Sequence, residues 1–382
     1  MPRVGWVRVA LFWLPAIAAV SIGCGGADFV PPPADMAPDD AVDIFITKGD
    51  LPALAVAIID GGQTLYTKVA GIRKRGDATP VADDDAFHIG SNTKGMTALI
   101  AGTVVDQGLL TWDSTVGDVL GGTVDVGGYG AVTLAQLLSH SSGIPEYPSQ
   151  VEAAIDAETM PVVEAQRREA ASAALALPPA SVAGTSFLYS SGNFVIAGLM
   201  LELATSTSWE DLMAQRLFVP LGMTHAGYGL PGTPGMVDAP WGHDPAPIDP
   251  GTPDIAPGAG PAGTVHDSLG DLIAYAQLYL DDGVGPNGRI ISDAALTAME
   301  TPRLANYGFG WMTGRSDTGV LRMVHSGSNR RFYSLMILFP ERQGAMLMLT
   351  NDGTQQSWDR VDQVASYFAA HFGLPPKGPW AS

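Results

Sequence analysis

The sequence predicts an α+β fold: an antiparallel sheet contributed by both chain ends, flanked by helices, with an inserted and mainly helical region. Three observations predict it. Strand-like apolar runs occur near the N-terminus and again after Asn306, helical periodicity fills the stretch between them, and the chain closes on a helix-like segment over 358–372.

Residues 54–59 and 64–70 are apolar and partly β-branched, and Asp60-Gly61-Gly62 between them is a hairpin signal. Residues 96–110 repeat apolar side chains at helical spacing and carry Gly108 near the end. Helices are further expected over 151–177, which is rich in Ala and Glu, and over 194–204 and 209–217. Strands are expected at 321–325, 332–339 and 345–350. Over 227–263, 18 of 37 residues are Gly or Pro, so no regular element is expected to persist there. A loop that long inside a domain is usually functional or disordered.

The composition supports a sizeable core, with 46% hydrophobic and 15% charged residues over 382 positions. A net charge of -19 repels phosphate backbones, so no nucleic-acid partner is expected. The single cysteine excludes an internal disulfide framework and cysteine-rich metal sites, and the seven histidines show no paired metal spacing. No metal and no cofactor is expected.

Arg3 and Arg8 precede an apolar run over 9–22 and the small residues Gly23, Cys24, Gly25 and Gly26, the layout of a secretory signal. The run has about 14 residues, short of the roughly 20 that a spanning helix needs. Residues 1–24 are therefore read as a signal peptide, 25–40 as a Pro-rich tether, 41–374 as the functional domain and 375–382 as a tail. Cys24 stands where a bacterial lipoprotein would be cleaved and acylated, and the alternative is an ordinary cleaved signal with Cys24 near the cut. In either case the expected destination is the bacterial cell envelope, periplasmic or membrane-attached through a lipid on Cys24.

The G-x-S-x-G elbow, the phosphate-binding G-x-x-x-x-G-K-[ST] loop and the H-E-x-x-H helix do not occur. Two G-x-G-x-x-G matches, at Gly258 and Gly283, lack the strand and helix that would make them nucleotide sites. What remains is Ser91-Asn92-Thr93-Lys94, with Lys94 the sole lysine between Lys74 and Lys377. A serine hydroxyl is a poor nucleophile until a base takes its proton, and an i, i+3 pair on a helix face brings an amine to it. A capping serine beside a solvated lysine is the plainer alternative. Two further clusters, Tyr189-Ser190-Ser191 and His325-Ser326-Gly327-Ser328, each precede a further predicted element and could equally be a core aromatic and an ordinary strand-to-turn sequence.

The order Ser-x-x-Lys, Tyr-Ser-Ser, His-Ser-Gly resembles the β-lactamase and penicillin-binding serine hydrolases, in the branch holding class C β-lactamases, D-alanyl-D-alanine carboxypeptidases and related esterases. The likeness runs over roughly 43–372. It includes Leu-Leu-Ser-His-Ser-Ser-Gly-Ile-Pro at 137–145, Pro-Leu-Gly-Met at 220–223, Pro-Ala-Gly at 261–263 and Tyr-Gly-Phe-Gly-Trp at 307–311. It implies a β-lactamase/transpeptidase-like fold, with a helical region at about 95–265 inserted in the α/β part. It further implies that Ser91 is the acylated nucleophile, that Lys94 shares its proton, and that Tyr189 shuttles a proton toward the leaving group. The backbone N–H groups of Ser91 and Ser328 would form an oxyanion hole, while Ser191, His325, Ser326 and Gly327 would line the substrate site. Ser191 stands where the middle motif often has asparagine, and Asn193 lies two positions late. His325 stands where classical β-lactamases carry lysine, which favours carboxypeptidase or esterase chemistry over efficient β-lactam turnover.

The function implied is an exported serine hydrolase acting on an ester or amide (a D-alanyl peptide, a β-lactam or a small ester) through an acyl-serine intermediate. The alternative is a catalytically silent penicillin-binding-like module that holds peptide or cell-wall fragments. Removal of Lys94 is expected to spare the fold. His325, with an ordinary pKa near 6.5, is expected to gain charge between pH 8 and 5.5 and then favour carboxylate substrates, and at most one of Arg330 and Arg331 is expected to face the cleft.

Overall fold

The computed structural model describes residues 29–146 and 162–378, so Cys24, the leader and part of the helix expected over 151–177 lie outside the described residues. Six strands form the main sheet: β1 (Ala53–Asp60), β2 (Gln63–Gly71), β3 (Met312–Arg315), β4 (Leu321–Ser328), β5 (Tyr333–Phe339) and β6 (Gly344–Thr350). Their order is β3-β4-β5-β6-β1-β2, every neighbouring pair is antiparallel, and the chain's two ends meet where Ala55 pairs with Leu349. This is the sheet the sequence implies.

The central strands read as unbroken apolar runs because both faces are covered. Six helices matter for the argument: α1 (Pro38–Thr47), α2 (Thr93–Asp106), α3 (Val163–Leu175), α4 (Ser191–Thr205), α5 (Leu269–Leu280) and α6 (Gln355–Phe372). Helix α5 packs on β1, β5 and β6 from the side that holds the main core with α2 and α4. Helices α1 and α6 cover the other side. Ala53, Ala55, Ala57 and Ile59 face the main core, while the residues between them face α1 and α6, as the two-residue period of a strand requires.

Three expectations need correction. Helix α1 begins at Pro38, inside the stretch read as tether, because proline is compatible with a first helical turn and Ala41, Val42 and Phe45 then bury one face. Short elements do persist over 227–263, namely strands Gly227–Tyr228, Gly242–Asp244 and Ala246–Ile248 and helical turns Pro257–Ala259 and Gly260–Gly263. Neighbours supply their bonds, as where His243 N–H donates to the Arg331 carbonyl at 2.9 Å. Helices also continue past residue 265, through α5 and Asp293–Glu300. The helix expected over 209–217 runs from Trp209 to Met213 and widens into a π-helical turn, Ala214–Phe218. Among the described residues no helix is long and apolar enough to cross a membrane.

Candidate active site

Ser91 lies in a tight turn, Gly90–Asn92, that runs directly into α2, so Lys94 emerges one turn later on the same face. The Lys94 Nζ donates to Ser91 Oγ at 3.0 Å and to the Ala262 carbonyl at 2.7 Å. Ser91 is half-buried and Lys94 wholly buried, so the serine hydroxyl can meet a ligand while its partner stays out of solvent. The turn is anchored from behind, since Asn92 Nδ2 donates to Ser334 Oγ at 2.6 Å and that hydroxyl donates to the Ile89 carbonyl at 2.8 Å. Along α2, Thr97 Oγ1 donates to the Pro261 carbonyl at 2.8 Å, which ties the Gly260–Gly263 turn to the Lys94 face.

Two glycines bring β4 against this turn. A Cβ on Gly90 would stand 2.4 Å from Ser328 N, and one on Gly327 would stand 2.6 Å from Ser91 N. Contacts this short exclude any side chain at either position, and they draw together the backbone N–H groups of Ser91 and Ser328. Two backbone N–H groups this close to one serine hydroxyl are the kind of donor pair that could hold an oxyanion.

Tyr189 is half-buried, and Lys94 Nζ stands over its ring, 4.9 Å from the centroid. Among the described residues no hydrogen bond joins its phenol to Ser91 or Lys94, so the resting contact is between ammonium and ring. Ser191 is half-buried at the first position of α4. Asn193 does not stand in for the missing amide: it is wholly buried, accepts from Ser142 Oγ at 2.5 Å, and has its Nδ2 3.1 Å from His140 Nδ1.

His325 faces the site but is fully engaged. Its Nδ1 lies 2.7 Å from the Ser326 carbonyl, which can only accept, so Nδ1 carries the proton and Nε2 takes the Tyr307 hydroxyl at 3.1 Å. Burial, reinforced by the nearby Lys94 ammonium, pushes its pKa down to about 3. The expected gain of charge between pH 8 and 5.5 therefore does not occur. Ser326 is corrected outright. Strand alternation turns it to the opposite face from His325 and Gly327, beside Tyr333, whose ring stacks on Trp358 of α6. Arg330 and Arg331 lie in the β4–β5 turn rather than in a strand, Arg330 with a left-handed backbone (φ +67°). The Arg331 guanidinium donates to the carbonyls of Thr252 at 3.1 Å and Pro253 at 2.5 Å.

Residue-by-residue reading of the sequence assigned no role to Ala262, Tyr307, Ser334 or His140. Three of them lie in stretches that carried the resemblance, at 137–145, 261–263 and 307–311, and that was the available signal; Ser334 had none. Among the described residues no cluster of His, Cys, Asp and Glu could hold a metal ion.

Comparison with known proteins bears on the family and the fold. The family model described as Beta-lactamase matches residues 38–367. Penicillin-binding protein 4 of Amycolatopsis lactamdurans is 30% identical over 338 residues, covering 83% of this chain and 85% of that protein. Among solved structures, the octameric penicillin-binding protein homologue from Pyrococcus abyssi superposes with a TM-score of 0.71 at 23% identity, covering 89% of this chain and 79% of that one. A class C beta-lactamase superposes with a TM-score of 0.68 at 19% identity, over 86% of this chain and 94% of that one.

Proposed function

We propose, on the premise that the chain belongs to the beta-lactamase family of serine hydrolases, that it cleaves esters or amides through an acyl-Ser91 intermediate. The observation that carries this reading is the 3.0 Å bond between Lys94 Nζ and Ser91 Oγ at the head of α2. Ser91 Oγ attacks the acyl carbon as its proton passes to Lys94 Nζ in the neutral amine form, and Tyr189 relays a proton from there toward the leaving group. The carbonyl oxygen takes the negative charge between the N–H groups of Ser91 and Ser328. Collapse breaks the bond to the leaving alcohol or amine, which takes the proton, and water then releases the acyl group from Ser91.

Esterase chemistry fits this site better than efficient β-lactam turnover, and better than carboxypeptidase chemistry, whose substrate carries a free carboxylate. A lysine in place of His325 would offer a permanent cation to a substrate carboxylate, whereas His325 is held neutral and already bonded to Tyr307. Neutral esters and amides are the substrate class that follows. The leader, with Cys24 as its acylation point, supports export to the cell envelope and attachment there by lipid.

Purified protein should be labelled by a fluorophosphonate at Ser91 and should hydrolyse p-nitrophenyl acetate, with both lost in Ser91→Ala. A folded protein that is neither labelled nor active would overturn the reading in favour of a silent binding module.

A further inference from the structure

The stretch over 137–145 has no part in the proposed chemistry, yet it holds a wholly buried histidine with a strained backbone. His140 has φ +54°, a left-handed conformation that few non-glycine residues adopt. Its Nδ1 accepts the Ser190 N–H at 3.2 Å and lies 3.1 Å from the Asn193 amide. Ser142 Oγ, bonded to Asn193 Oδ1, fixes that amide with its nitrogen toward the imidazole. Nδ1 is thus the acceptor, and Nε2 carries the proton without a hydrogen-bond partner among the described residues. A buried donor left unpaired weakens the fold, so stability alone does not account for this imidazole.

The residues on either side of Tyr189 are both bonded to it. The His140 carbonyl accepts the Leu188 N–H at 2.8 Å, and Nδ1 takes that of Ser190. Between these two bonds the Tyr189 ring lies 4.3 Å, centroid to centroid, from the imidazole. Residues 186–190 form no helix or strand, so no ladder of backbone bonds places Tyr189.

We infer that His140 is the positioning residue for Tyr189, clamping the backbone on both sides of it and supporting its ring so that the phenol stays over Lys94. This rests on the reading of Tyr189 as the proton shuttle. Burial keeps the imidazole neutral, which suits a group that holds geometry and exchanges no proton.

Two variants separate the parts. His140→Asn keeps an acceptor near the Nδ1 position and tolerates a left-handed backbone, whereas His140→Gln keeps bulk but moves the acceptor. With a simple alkyl ester as substrate, His140→Gln should lower kcat at least tenfold with KM within twofold, and His140→Asn should recover most of the loss. In a Tyr189→Phe background His140→Gln should cost nothing more, since both changes disable one element. An equal loss in both backgrounds would overturn the inference.

A second readout does not depend on turnover. 3-Fluorotyrosine at position 189 should give one sharp fluorine resonance in the wild type, broadened or split in His140→Gln and restored in His140→Asn. An unchanged resonance in His140→Gln overturns the inference, whereas a broadened one in a protein without esterase activity would support it and count against the hydrolase reading alone. If His140→Gln does not fold, Asn193→Leu, which strips the amide from Nδ1, is read by the same resonance with the same two outcomes.

Discussion

Gly327 lies so close to Ser91 that a Cβ on it would stand 2.6 Å from the Ser91 backbone nitrogen and 2.0 Å from the carbonyl oxygen of Ile89. Neither neighbour is the far end of a flexible side chain, so only backbone movement could admit even a methyl group. Gly327→Ala should therefore part β4 from the Ser91 turn and separate the Ser91 and Ser328 N–H groups proposed to hold the oxyanion. Loss of one such donor costs about 10²–10³ in kcat. The check is kcat on p-nitrophenyl acetate beside a circular-dichroism melt. A folded Gly327→Ala enzyme of wild-type activity would show that this contact does not shape the site.

Lys94 is buried along its whole length, with its Nζ also within 5.8 Å of the Phe194 ring centroid. Its removal should consequently cost the fold stability, an outcome opposite to the one expected from its position in sequence. Lys94→Ala opens a cavity, and truncating a buried chain of this size costs about 2–5 kcal/mol. Lys94→Met keeps the stem and loses the amine, so it should fold and still lose about 10²–10⁴ in acylation rate, the range general acid–base groups contribute. Single-turnover labelling of the two variants, each beside its unfolding midpoint, separates the effects.

Much of the architecture was legible because it is local. The hairpin at Asp60-Gly61-Gly62, the closing helix and the Ser91–Lys94 spacing are each set by residues adjacent along the chain. What was not legible depends on long-range register. That Ser326 faces away from the site follows only once Ser326 pairs with Leu335, and that His325 stays neutral follows from burial contributed by several elements. The Ala262 acceptor reaches Lys94 from 168 residues away. Helix α1 was hidden by the prolines that precede it, since one proline serves equally as linker and as first helical residue.

Acid stability should report the buried histidines, His88 and His325 among them. Burial lowers His88 to about 4 and His325 to about 3, both below the value near 6.5 of an unfolded chain. The unfolded state therefore binds more protons than the folded one between these limits. Stability present above pH 6.5 is lost as pH falls toward 4 and 3. His325→Gln should make the urea midpoint fall less steeply than in the wild type from pH 6.5 to 4. Parallel curves for the two proteins would contradict the burial of a neutral His325.

Cys24 offers a test of location that does not depend on catalysis. If it carries lipid, the protein expressed in a bacterial host should partition with membranes, and Cys24→Ser should move it to the soluble fraction. Equal partitioning of the two forms would remove the lipid anchor.

Ser191 opens α4 immediately after the Tyr189-Ser190 pair, where an asparagine would present an amide to a substrate carbonyl or side-chain amide. Asn193 does not supply that group, because it is turned into the core and held by Ser142 and His140. The site thus lacks one donor that an amide substrate would use and a small ester would not. Ser191→Asn should restore it without disturbing the helix start, where asparagine is tolerated and the position is half-buried rather than packed. A net hydrogen bond of about 1 kcal/mol corresponds to roughly a fivefold gain. The variant should therefore raise kcat/KM for a D-alanyl-D-alanine peptide, or the acylation rate by a fluorescent penicillin, by about that factor. The rate on p-nitrophenyl acetate should stay unchanged. An equal rise on ester and peptide would mean that Ser191→Asn acts on Tyr189 or the nucleophile rather than on the substrate amide.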